Sequence, residues 1–258
     1  MDDKEREELN RQLRLGVEEY NSAPLDDFLG LSPKQIHHLN RDPLGAGSAV
    51  RWQANIAPAT LAQVPLLTLA VDLLSRLEEK EIKLTAIGNL PGKLVKEWYA
   101  KGLIPQDDLE SGTTKLSSED DYFAATTLKY CLSGLGWTKK RKGKLSLTAK
   151  GNKALMGQRQ KLLEQLFLEH FTHFNLGFFD GYEDQGYLQR SFGIVLVQLL
   201  KNGKVWERVE EYGNGMLQAF PMLMDTFEPS DYQPPDRQVK RAYALRFFRR
   251  SLNFYGLV

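Results

Sequence analysis

Residues 137–153 limit the architecture more than any other stretch. They carry Lys139, Lys140, Arg141, Lys142, Lys144, Lys150 and Lys153 and no acid. Gly143 divides the run into two extended arms, and Leu145 and Leu147 alternate with polar neighbours in the second. That period of two belongs to a half-buried strand. The pattern predicts a short basic hairpin with one apolar side, and Thr148 stands where the N-cap of a following helix is expected.

The segments around this hairpin read as helices. Leu66, Leu69, Ala70, Leu73 and Leu77 recur at helical spacing within 61–79. Residues 83–85 form a strand candidate, and the turn at Gly88, Asn89, Leu90 and Pro91 leads into a helix over about 91–101. Ser118 opens a third helix, with Glu119, Asp120 and Asp121 at the positive end of its dipole. Tyr122, Ala125, Leu128, Leu132 and Leu135 form its buried face, Thr126, Thr127 and Lys129 its exposed face, and Gly134 and Gly136 its end. Nearer the start, Leu9, Leu13 and Val17 give residues 3–19 an apolar helical stripe. Ser32 and Pro33 cap and begin a short helix to about Leu39, and residues 41–60 read as a loop or linker.

Helix, strand, helix, helix, hairpin is the order of a winged helix-turn-helix domain. The run GLGWTKKRKGKLSLTAKG (134–151) resembles the wing of that superfamily. The resemblance covers roughly 61–155 and implies one helix in a DNA major groove and a basic wing on phosphate or in the adjacent minor groove. In addition, KLTAIGNLPGKLVKEWY (83–99), KGKLSLTAKG (142–151) and FFDGYEDQGYLQRSFG (178–193) resemble segments of uncharacterised bacterial proteins, some related to a plasmid ORF-3-like family. That second resemblance implies no activity and no catalytic residue.

The C-terminal half leaves two readings open. Residues 159–174 form an apolar helix, followed by an aromatic loop over 178–182. A shift of 120 positions lays the third helix over Ala242, Leu245, Phe248, Leu252 and Tyr255. Phe192, Val195, Leu196, Leu199 and Leu200 then match the helix at 66–77, and Gly203 to Trp206 the short strand. Asn214 and Gly215 would start the next helix, and 228–235 form a loop. This half is a degenerate second winged helix or an irregular helical domain.

A formal net charge of +1 conceals segregated blocks. Residues 1–30 and 103–123 are acidic; besides 137–153, a second basic block holds Arg237, Lys240, Arg241, Arg246, Arg249 and Arg250. Arg246, Arg249 and Arg250 recur at helical spacing and could face phosphate or base edges. They could equally pair with the acidic segments, in the chain or across a dimer. The lone Cys131 excludes an internal disulfide, and the apolar runs at 64–70 and 192–197 are far below the roughly 18–20 residues of a membrane span. The acidic first residues lack the apolar segment of a signal peptide, so a cytoplasmic location is expected.

Enzyme chemistry finds little footing. His170 and His173 lie three apart on a helix without a zinc-type H-E-x-x-H pattern, and Cys131 has no nearby base. Gly45, Gly47 and Ser48 lack the lysine of a phosphate loop. No catalytic residue, metal or cofactor is expected. The expectation is a mainly α protein with a small β-hairpin wing: an acidic helical arm and linker (1–60), a winged-helix-like domain (61–157) and a helical domain or second degenerate copy (158–258). Lys139, Lys140, Arg141, Lys142 and Lys144 are the wing residues expected to contact double-stranded DNA, with Arg246, Arg249 and Arg250 as a second basic surface. The alternative is a winged module for a protein partner or homodimer, without DNA and without a membrane.

Overall fold

A computed structural model describes residues 3–178, 180–182, 186–228 and 233–258. The chain is mainly helical with a small three-stranded antiparallel sheet. It forms two compact units, one drawn from residues 1–52 and 185–243, the other from 53–184 and 244–258. The stretch 158–258 is thus shared between both units. Its last segment, from Ala244, belongs with 53–184, because Phe254 and Tyr255 pack on rings of that unit.

The first unit contains α1 (Asp3–Ser22) and α2 (Pro33–Arg41). Ser32 accepts the Gln35 N–H at 3.3 Å while the Gln35 side chain accepts the Ser32 N–H at 2.9 Å, a reciprocal cap that starts α2 at its proline. The α1 stripe is a different matter: Leu9, Leu13 and Val17 recur at helical spacing, yet all three are exposed and α1 buries no residue. One polar residue ties together three helices of this unit, Phe192–Asn202, Val209–Ala219 and Pro235–Tyr243. Gln198 accepts the Tyr243 hydroxyl at 2.6 Å and donates to the Tyr212 carbonyl at 3.0 Å, which satisfies a fully buried amide. Residues 203–206, expected as a strand, form a turn and an irregular stretch, and a helix (Val209–Ala219) runs through Asn214 and Gly215 instead of starting there.

The second unit holds the sheet. Two helices, α3 (Pro58–Ala62) and α4 (Pro65–Glu79), lead to β1 (Ile82–Lys83); α4 buries Leu66, Leu69, Ala70, Leu73 and Leu77 as its spacing predicts. After β1 come α5 (Gly92–Tyr99), a short α6 (Asp107–Glu110), α7 (Phe123–Gly134), β2 (Thr138–Arg141), β3 (Lys144–Leu147), α8 (Ala149–Met156) and α9 (Arg159–Thr172). The strands lie in the order β1-β3-β2, all antiparallel. Lys142 (φ 49°) and Gly143 (φ 71°) both take left-handed backbone, so the hairpin closes on a tight two-residue turn whose twist suits the strands. Thr148 accepts the Gly151 N–H at 3.0 Å and caps α8.

Two expected helices differ. Ser118 caps a single 3-10 turn (Glu119–Asp121), and α7 begins only at Phe123. The C-terminal series does not continue as a regular helix either: Ala244–Arg249 is a π-helix and Leu252–Tyr255 a 3-10 turn, with no strand after them. Phe179 of the aromatic loop and residues 229–232 of the loop expected at 228–235 lie outside the described residues.

Candidate nucleic-acid interface

Strand pairing places the cations of the hairpin. Lys144 stands opposite Lys83 of β1 on one side and Arg141 of β2 on the other. Cross-strand partners project to one face, and residues two apart share it. Lys83, Lys144, Arg141 and Lys139 therefore lie on one exposed side of the sheet. The acid among them is Glu81, whose carboxylate accepts the Ser146 hydroxyl at 2.6 Å and lies 3.1 Å from Lys144 Nζ. The Ser146 hydrogen bond, then Lys144, holds this carboxyl below its ordinary range. Lys140 belongs to the opposite side with Leu145 and Ile82, and its ammonium lies where a Cβ on Gly88 would stand. Lys142 occupies the turn, and all five wing cations are exposed.

The helix before the hairpin is spent on packing. Glu119, expected at a solvated helix start, is fully buried, with its carboxylate 2.5 Å from both the Leu90 N–H nitrogen and Lys129 Nζ. Burial raises its pKa, an effect that the Leu90 N–H and Lys129 only partly offset. Asp120 accepts an amide hydrogen bond from Asn89 at 2.7 Å. Asp121 accepts the N–H groups of Ser117 and Ser118 at 2.8 and 2.7 Å; although burial opposes ionisation, these donors hold its pKa below normal. The acids at 119–121 thus serve as internal acceptors. Thr126 and Thr127, expected on the exposed face of α7, are buried. The Thr126 hydroxyl donates to the Glu119 carbonyl at 3.1 Å and Lys129 to the Gly88 carbonyl at 3.2 Å, so this side of α7 meets the 119–121 turn and Gly88.

The C-terminal arginines do not share one surface. Arg246 is 1% exposed, with Nε 2.5 Å from the buried carboxylate of Asp180. Arg250 stacks over Phe123 at 4.3 Å from the ring centre and donates to the Phe178 carbonyl at 3.2 Å. Burial lowers its pKa, against the pull of Asp180 and Asp108. Arg249 alone is exposed, paired at 3.1 Å with Asp107 of the acidic 103–123 segment. The π-helix explains the difference: the Arg250 N–H closes on the Leu245 carbonyl, i to i+5, so the angular positions expected of an α-helix are lost.

Other reactive groups are sequestered. His170 is fully buried among Phe171, Phe174, Phe254 and Tyr255, with Nδ1 3.2 Å from the Tyr255 hydroxyl, and burial depresses its pKa to about 3. Burial pushes the Cys131 thiol well above its ordinary range. Among the described residues no group of histidine, cysteine or acidic side chains has metal-binding geometry. A cleft of about 770 Å³ is lined by Ile56, Leu61, Leu67 and Val71 together with Arg159 and Glu164, and by no histidine, cysteine or serine. No helix among the described residues is long and apolar enough to cross a membrane.

Lys83 escaped sequence reasoning because its strand partner lies more than sixty residues away; only its place in a strand candidate hinted at it. The buried role of Glu119 had no local signal, since its partners are Leu90 and Lys129. Compared with protein-family models, with curated proteins and with solved structures, the chain matches none.

Proposed function

We propose that the second unit is a winged-helix-like domain that binds nucleic acid by phosphate contacts from its cationic sheet face, without a helix in the groove. The order of α4, β1, α5, α7 and the hairpin, with strands arranged β1-β3-β2, supports that fold reading. The observation that carries the function is the row Lys83, Lys144, Arg141 across three strands. Like charges directly opposite one another destabilise a sheet, and here Glu81 offsets only part of the repulsion. A row of phosphates is the natural complement. Binding of this kind releases counterions and reads backbone instead of base edges.

A salt titration with random-sequence duplex DNA tests the proposal. Binding should fall steeply with salt, and replacing Lys139, Lys140, Arg141 and Lys142 with Ala should weaken it. Each phosphate contact removed should flatten the log–log salt slope by about 0.9. Lys83→Ala should act in the same direction, while Arg249→Ala should not. An absence of binding at low salt overturns the proposal.

The burial of Thr126 and Thr127 favours a second reading, a winged module that engages a protein partner or a second copy and leaves DNA alone. In that case the hairpin variants would lose a protein complex and show no change with DNA.

A further inference from the structure

A cleft of about 360 Å³ opens beside α7 and α9, away from the basic hairpin residues, and its lining has a distinct chemistry. Tyr130, Phe174 and Phe178 supply three aromatic rings whose centres lie 5.6–6.4 Å apart and whose planes are tilted by 43–60°. Glu169 lies against them with its side chain only 14% exposed. Its carboxylate lies 3.3 Å from His173 Nδ1, itself largely solvated. Gly134 makes this arrangement feasible: a Cβ there would collide with the Glu169 carboxylate. The chain therefore keeps a mostly buried negative charge beside aromatic faces, with one solvated imidazole near it.

We propose that this cleft binds a quaternary ammonium group. Aromatic faces attract cations through the ring quadrupole, and the attraction grows as water is removed. A methylated ammonium suits such walls better than a primary one, because it has no N–H donors that need acceptors. The amide oxygen of Asn175 in the lining already accepts the Gly177 N–H at 2.8 Å, so it is engaged within the loop. Glu169 supplies the counter-charge. Tyr130 already attracts a cation within the chain: Lys129 Nζ lies 5.3 Å from its ring centre, and Glu119 at 2.5 Å neutralises that lysine.

The test titrates the full chain with choline and with 3,3-dimethylbutan-1-ol, its uncharged isostere, followed by NMR or calorimetry. Choline should bind saturably, and the neutral alcohol about tenfold or more weakly. Glu169→Gln, which keeps shape and removes charge, should weaken choline by about tenfold, the size of one desolvated ion contact. Tyr130→Leu, at an exposed position, should do so without unfolding the protein, as circular dichroism will show. A titration with N-acetyl-trimethyllysine amide distinguishes a protein side chain from a free ligand, and saturable binding of either supports the site. Equal binding of alcohol and choline, unchanged affinity in Glu169→Gln, or no saturation by either cation overturns it.

Discussion

Residues 139–144, with four lysines and one arginine, and residues 246–250, with three arginines, are both short and cationic, yet they meet solvent in opposite ways. In the hairpin, alternation divides the labour: Leu145 faces the core while Lys144 and Arg141 face out, and a tight turn at Lys142 and Gly143 joins the two strands. In the C-terminal segment the π-helix is packed on several sides. Phe247 and Phe248 are buried, and Arg246 is buried with them against Asp180. A basic cluster is a surface only when its element has one face to bury and one to spare. Where a side of the element is packed, as at Arg246 and Arg250, a cation is retained by a buried counter-charge or an aromatic face.

That contrast makes graded predictions. Arg246→Ala should have the largest effect, because it leaves Asp180 buried without its guanidinium; a loss of about 3–5 kcal/mol in urea denaturation is expected. The remaining folded protein should bind duplex DNA as before. A small stability loss together with lost DNA binding would instead put Arg246 on an interface.

Acid should come next, through His170, which packs against the Tyr255 that follows the arginines. The unfolded chain takes up this proton near pH 6.5, the folded chain only near 3. Stability is therefore complete above about 6.5 and declines as pH falls toward 3, by at most about 1.4 kcal/mol per unit. His170→Leu should flatten that part of a stability–pH curve; an unchanged slope would mean that the imidazole is not buried neutral.

Smaller effects belong to the exposed elements. Lys142→Asn should stabilise by about 0.5 kcal/mol, since asparagine tolerates left-handed backbone in such a turn better than lysine, and its melting temperature should rise slightly. Arg249→Ala breaks only a solvated pair with Asp107 and should change stability by less than about 1 kcal/mol. A larger loss on chemical denaturation would show that this arginine, too, is part of the packed segment.

Elements with a local cause could be read directly from residues. The Ser32–Pro33 start of α2, the leucine face of α4, the hairpin around Gly143 and the Thr148 cap all depend on neighbours within a few positions. Part of the candidate site was legible for the same reason: alternation in β3 turns Leu145 inward and Lys144 outward, and Arg141 pairs with Lys144 across a turn marked by Gly143. The rest was not, because its causes lie far along the chain. Glu119 looked like a helix-start charge and proved to be a buried acceptor for Leu90 and Lys129. Thr126 and Thr127 looked solvent-facing, yet both are buried, and the Thr126 hydroxyl bonds the carbonyl of Glu119, seven residues back.

Periodicity, caps and turn residues act over one or two turns of chain, so the mainly helical class and the basic hairpin follow from local residues alone. Which charges are available follows from the fold. It set Lys83 beside Lys144 and closed Arg246 over Asp180, since both are pairings across more than sixty residues, and burial and counter-charge depend on what the fold brings near.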